Sequence, residues 1–70
     1  MSDAIIQVNG ESEPLGAPTL EALLAEKAVD TGARGIAVAL NGAVVARAAW
    51  RDTRLQPGDR VEIVRARQGG

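Results

Sequence analysis

The sequence contains no cysteine, no histidine, no tyrosine and no phenylalanine, and its one tryptophan is Trp50. Without cysteine the chain can close no disulfide and offers no thiol nucleophile. Without histidine it lacks the usual imidazole base, and without either it lacks the ligands of an ordinary zinc site. Aromatic residues amount to 1%, which removes the stacking platforms that grip single-stranded nucleic acid and leaves the core to aliphatic side chains. Neither sign of charge dominates: 8 basic against 9 acidic side chains leave a net charge of -1, too little for the field that attracts nucleic acid. No apolar run nears the ~20 residues of a membrane-spanning helix. Met1-Ser2-Asp3 also lacks the basic and apolar regions of a secretory leader. The expectation is a cytoplasmic chain with neither membrane nor nucleic acid as partner.

What is present fits one small domain. A chain of 70 residues buries only about 60% of the surface it would expose unfolded, which leaves no room for a deep, self-made active site. Carboxylates such as Asp59 and Glu62 then have no pocket to raise their pKa and no base-type partner, so no residue is expected to be catalytic and none to hold a metal.

Two Asn-Gly dipeptides punctuate the chain. Ala4 to Val8 is short and β-branched, and Asn9-Gly10 after it supplies the two φ > 0 positions of a type I′ turn, which predicts a hairpin returning through Glu11 to Leu15. Pro14 cannot donate to a ladder, which places it at an edge or a strand end. Gly35 to Leu40 alternates Ile36, Val38 and Leu40 with Ala37 and Ala39. Asn41-Gly42 then predicts a second hairpin returning through Ala43 to Arg47. Between the hairpins, Thr19 is a good N-cap, and Leu20, Leu23, Leu24 and Ala28 recur at helical spacing, predicting a helix over Leu20 to Val29. Asp30 to Gly35 reads as the loop ending it, with Gly32 and Gly35 free to adopt left-handed conformations. Ala48-Ala49-Trp50 suits a short helical turn, with Trp50 closing the end of the core. Leu55 to Asp59 is a turn, and Arg60 to Ala66 is the last strand, with Val61 and Ile63 facing one way and Glu62 and Val64 the other.

Hairpin, helix, hairpin, strand is an α+β order. One main helix across one face of a mixed sheet of about five strands is the economical way to bury Leu20, Leu23 and Leu24, a ubiquitin-like β-grasp arrangement. Residues 1–66 make the domain, and residues 67–70 are expected to be a flexible diglycine tail. Glycine carries no Cβ, so Gln68-Gly69-Gly70 can thread a narrow slot with nothing shielding the Gly70 carboxylate. Glycines at a chain end are common without function. As a functional element the carboxylate would be the reactive group, an acyl donor once a partner has activated it with ATP. A single helix covers one sheet face, so Ile5, Ala37, Ala39 and Val64 are assigned to the other, a shallow apolar patch for partner docking. Arg65 and Arg67 would assist encounter. From Ala66 to Gly70 an extended tail reaches roughly 16 Å, enough to enter a partner's active site.

Several stretches together resemble the thiamine-pathway sulfur carriers of the ThiS family. They are Ile6-Gln7-Val8-Asn9-Gly10, the helix entry Thr19-Leu20-Glu21-Ala22-Leu23-Leu24, Asn41 to Arg47, Trp50, Leu55 to Val64, and Gln68-Gly69-Gly70. The resemblance covers essentially the whole chain. It implies a carrier with no bound cofactor, whose Gly70 carboxylate is adenylated by an E1-like (ThiF-like) enzyme using ATP and Mg. A sulfur donor system then makes the thiocarboxylate, and a ThiG-like thiazole synthase receives the sulfur. The small subunit of molybdopterin synthase (MoaD) shares the diglycine but is usually richer in phenylalanine. Ubiquitin-like modifiers share basic residues before it, as Arg65 and Arg67 stand here. Sulfur carrier, covalent modifier and a β-grasp binding module with an inert tail all stay open at this point.

Overall fold

Both Asn-Gly pairs turn the chain as their backbone preference predicts. Asn9 and Gly10 have φ of 52° and 86°, Asn41 and Gly42 of 53° and 87°. Each lies in a two-residue loop, closed by the pairs Val8 with Glu11 and Leu40 with Ala43. The computed structural model describes residues 4–29 and 35–65. In chain order these form β1 (Ile5–Val8), β2 (Glu11–Pro14), α1 (Leu20–Glu26), β3 (Ile36–Leu40), β4 (Ala43–Val45), a 3-10 helix (Arg47–Asp52) and β5 (Arg60–Arg65). The sheet order is β2-β1-β5-β3-β4. β5 sits in the middle, parallel to β1 and antiparallel to β3, and so joins the two hairpins into one mixed sheet. Pro14 is the last residue of β2, an edge strand, where its missing N–H is harmless.

Thr19 caps α1 as expected, its extended backbone letting the side-chain oxygen accept from the Ala22 N–H at 3.2 Å. The helix ends at Glu26, three residues short of the predicted Val29. Ala28 is the reason: it turns left-handed, with φ of 58°. Its N–H donates to the Ala25 carbonyl at 3.1 Å, and the Val29 N–H reaches back to the Leu24 carbonyl at 2.9 Å. This is the Schellman closure, with alanine where glycine is usual, and it folds Val29 onto the core beside Leu24. Ala28 is therefore exposed, not part of the apolar face. Gly35 does take φ of 79°, while Gly32 lies outside the described residues. Lys27, which caps the helix, pairs with Glu13 of β2.

The second hairpin also returns for less than expected. β4 stops at Val45, and Arg47 already belongs to the 3-10 helix. Trp50 directs this departure, being 2% exposed with its indole N–H donating to the Val45 carbonyl at 2.9 Å. Ring burial and a satisfied N–H require the chain to double back within five residues of the strand. Arg47 lies over the same ring, 4.8 Å from its centroid. The Thr53 carbonyl accepts from the Leu20 N–H and the Pro18 carbonyl from the Leu55 N–H, both at 3.0 Å, which binds the exit of the 3-10 helix to the start of α1.

The core lies between the helices and one sheet face. Ile6, Val8, Leu20, Leu23, Leu24, Val38, Trp50, Leu55 and Val61 are buried, and Leu40 and Ile63 are half-buried against them. Among the described residues no polar or charged side chain is buried. No helix among them is long and apolar enough to cross a membrane.

Candidate functional site

With the helices on one face, strand alternation leaves the other open. β3 and β5 pair Ala37 with Val64 and Ala39 with Glu62, and β4 places Val44 beside Ala39. Val64 is 58% exposed and Val44 79%. Ala37, Ala39 and Val64 are thus brought together as expected, and Val44 joins them as a fourth, unexpected member. The signal was available: a two-residue Asn-Gly loop forces Leu40 opposite Ala43, and that register sets Val44 opposite Ala39.

Ile5 does not join this patch. It is 41% exposed, yet β1 pairs with β5 at Gln7 with Arg60, which puts Ile5 at the level of Gly58. Val64 lies six residues further along, roughly 20 Å at strand rise. Alternation assigns the open face correctly; it says nothing about which end of a strand a residue occupies.

β5 leads toward the diglycine, and its position is fixed on both sides. β3 holds it through five residue pairs, from Leu40 with Val61 to Ile36 with Arg65. β1 holds it through only two, Gln7 with Arg60 and Val8 with Val61. At the start of β5, the Asn41 carboxamide accepts the Arg60 N–H at 2.9 Å and donates to Asp59 at 3.1 Å. The other Asp59 oxygen accepts the Gln56 N–H at 2.8 Å. Gly58, with φ of 88°, makes the turn that this carboxylate closes, and its N–H donates to the Ile5 carbonyl at 2.7 Å. Asp59 is thus a turn-closing residue. Toward the other end of β5, the Asn9 carboxamide oxygen accepts the Ile63 N–H at 2.8 Å. In the sequence both asparagines signal only their turns; these side-chain roles join residues distant in the chain.

Arg65 is exposed at the end of β5. Arg67, Gln68, Gly69 and Gly70 lie outside the described residues, as does Ala66. Among the described residues no cluster of histidine, cysteine or carboxylates could hold a metal ion.

A mixed sheet with its first and last strands parallel at the centre, gripping one main helix, defines a ubiquitin-like β-grasp protein, and the sequence after its last strand runs on to a diglycine. The ThiS family model matches residues 4–70. The sulfur carrier protein ThiS of Thermus thermophilus is 38% identical over 66 residues, covering 94% of this chain and 100% of that protein. The crystal structure of the thiamine biosynthesis protein ThiS from Geobacter metallireducens aligns with a TM-score of 0.78 at 33% identity, covering 94% of this chain and 99% of that one. The chain belongs to the ThiS family.

Proposed function

We propose that this sulfur carrier of thiamine biosynthesis works as the substrate of its partners, through the carboxylate of Gly70. The observation that carries the reading is the family match, which runs through Gln68-Gly69 to Gly70 itself. A carboxylate is a poor electrophile in water. An E1-like, ThiF-type enzyme using ATP and Mg activates it: a Gly70 oxygen attacks the α-phosphorus, pyrophosphate leaves, and an acyl-adenylate forms. A sulfur nucleophile from the donor system then adds to the acyl carbon and AMP departs, which leads to the thiocarboxylate. A ThiG-like thiazole synthase consumes it. The chain supplies no base and no metal for these steps; its part is to present the tail.

The open sheet face is the surface on which the activating enzyme docks. Ala37, Ala39, Val44 and Val64, on β5, its neighbour β3 and the edge strand β4, form an apolar patch bordered by Glu62, and Arg65 and Arg67 steer the encounter. Val64→Asp sets an unpaired charge in that patch. Complex formation is expected to weaken roughly tenfold to a hundredfold, as an uncompensated charge in an apolar interface costs about 1–3 kcal/mol. The fold itself loses about 1 kcal/mol or less, because the side chain stays exposed in the free protein. Titration calorimetry beside denaturant unfolding separates the two; unchanged affinity would place the docking face elsewhere.

The activation step is tested by ATP–pyrophosphate exchange with the E1-like enzyme encoded in the same genome. Exchange is expected to depend on added carrier. An exchange rate indifferent to this chain contradicts the reading.

A further inference from the structure

Asn9 and Asn41 occupy equivalent places in two equivalent hairpins, and each accepts an N–H of β5, yet Asn41 holds its first residue, Arg60, and Asn9 holds Ile63, two residues from its end. At Arg60 the backbone already takes part, since the Asn41 N–H donates to the Arg60 carbonyl at 2.7 Å. At Ile63 the geometry is different. The β1–β5 ladder runs from the Gln7 N–H on Asp59 to the Asn9 N–H on Val61, at 3.0 and 2.9 Å. Its next step in regular parallel pairing is the Ile63 N–H on the Asn9 backbone carbonyl. The left-handed turn at Asn9, φ of 52°, takes that carbonyl away, and the side-chain oxygen accepts the Ile63 N–H instead, at 2.8 Å.

β5 continues to Arg65, past the last β1 residue it pairs with by two-sided strand register. Among the described residues, no hydrogen bond from the first hairpin reaches β5 beyond Ile63. Val64 and Arg65 are paired with β3 alone, and the Asn9 carboxamide at Ile63 is the last hold on the β1 side before them.

We propose that Asn9 is a positioning residue for the carrier's reaction: its carboxamide holds β5 at Ile63 on the β1 side and so limits the motion of Val64 and Arg65, after which the sequence continues to Gly70. The proposal rests on the reading of Gly70 as the reacting end. Binding energy is gathered on the sheet face, whereas the rate of adenylate formation depends on where the carboxylate sits relative to ATP. A displacement of about 1 Å can cost on the order of a hundredfold in such a step.

Asn9→Gly separates the two roles of the residue, because glycine keeps φ > 0 and removes the acceptor. Asn9→Asp keeps an acceptor and tolerates the left-handed turn. Asn41→Gly makes the same change in the other hairpin, away from the tail. In the free full-length protein, Asn9→Gly is expected to remove protection of the Ile63 amide from exchange and to lower the NMR order parameters of Val64 and Arg65. Asn9→Asp restores both, and Asn41→Gly leaves them as in the parent. With the activating enzyme, kcat for adenylate formation falls roughly tenfold to a hundredfold in Asn9→Gly while KM moves by less than about twofold. Asn9→Asp recovers that rate. Unchanged order parameters, an equal fall in kcat for Asn41→Gly, or a rise in KM alone overturns the proposal. If the parent protein itself is not adenylated, the Gly70 reading fails instead, and the order parameters still decide whether Asn9 anchors the strand.

Discussion

Deleting Gly70, or adding one residue after it, abolishes carrier-dependent ATP–pyrophosphate exchange and leaves the unfolding curve where it was. The two outcomes separate because they depend on different parts of the chain. Among the described residues the buried ones run from Ile6 to Val61, and the last ladder pair is Ile36 with Arg65. Removing the final glycine therefore takes no side chain from the core and no bond from these ladders, and surface changes of that kind stay within about 0.5 kcal/mol. The chemistry has no such tolerance. Deletion moves the carboxylate back by one residue, about 3.3–3.6 Å, far outside the range in which an attacking oxygen and an α-phosphorus react. Extension replaces the Gly70 carboxylate by an amide, which has no free oxygen anion to attack with. Exchange persisting at the parent rate in either variant would mean that the activated group is not the Gly70 carboxylate. Unfolding at lower denaturant would mean that the tail belongs to the domain.

The largest effect on the fold itself is expected at Trp50. As the single aromatic side chain, 2% exposed, it fills the end of an otherwise aliphatic core. Trp50→Ala leaves a cavity that the surrounding leucines and valines cannot close, at a cost of about 3–5 kcal/mol. Marginal stability is about 0.05–0.15 kcal/mol per residue, so the loss approaches the whole stability of a domain this small. Trp50→Phe separates packing from hydrogen bonding. It keeps a ring but strands the Val45 carbonyl that the indole N–H now satisfies at 2.9 Å, at about 1–3 kcal/mol. Denaturant unfolding followed by far-ultraviolet circular dichroism, which does not depend on the tryptophan, gives both values. A Trp50→Ala loss below about 1 kcal/mol would remove Trp50 from its place in the core.

Elements whose cause is local were legible in the sequence. Asn9-Gly10 and Asn41-Gly42 make the hairpins they announce, Thr19 caps the helix it precedes, and the alternation of Val61 and Ile63 with Glu62 and Val64 is the burial pattern of β5. What was not legible depends on tertiary context. Ala28 adopts a conformation that alanine disfavours, because the Schellman bonds and the burial of Val29 together outweigh a cost of about 1–2 kcal/mol. β4 ends early because Trp50 reaches back to Val45, a contact that no periodicity encodes. For the candidate site, the face of Ala37, Ala39 and Val64 followed from strand alternation. The separation of Ile5 and the addition of Val44 required knowing which strands neighbour which. The strand-holding roles of Asn9 and Asn41 join positions 54 and 19 residues apart, beyond the reach of any turn propensity.

We propose that sulfur is carried on the Gly70 acyl carbon. This is tested most directly by intact-protein mass spectrometry after incubation with the E1-like enzyme, ATP, Mg and a sulfur donor, followed by fragmentation of the product. The expected product shows a mass gain equal to the exchange of one oxygen for one sulfur, located at Gly70, and lost again when thiazole synthase and its other substrates are added. A product joined through an amide bond between Gly70 and a lysine of another protein, or a chain whose mass does not change, would contradict it.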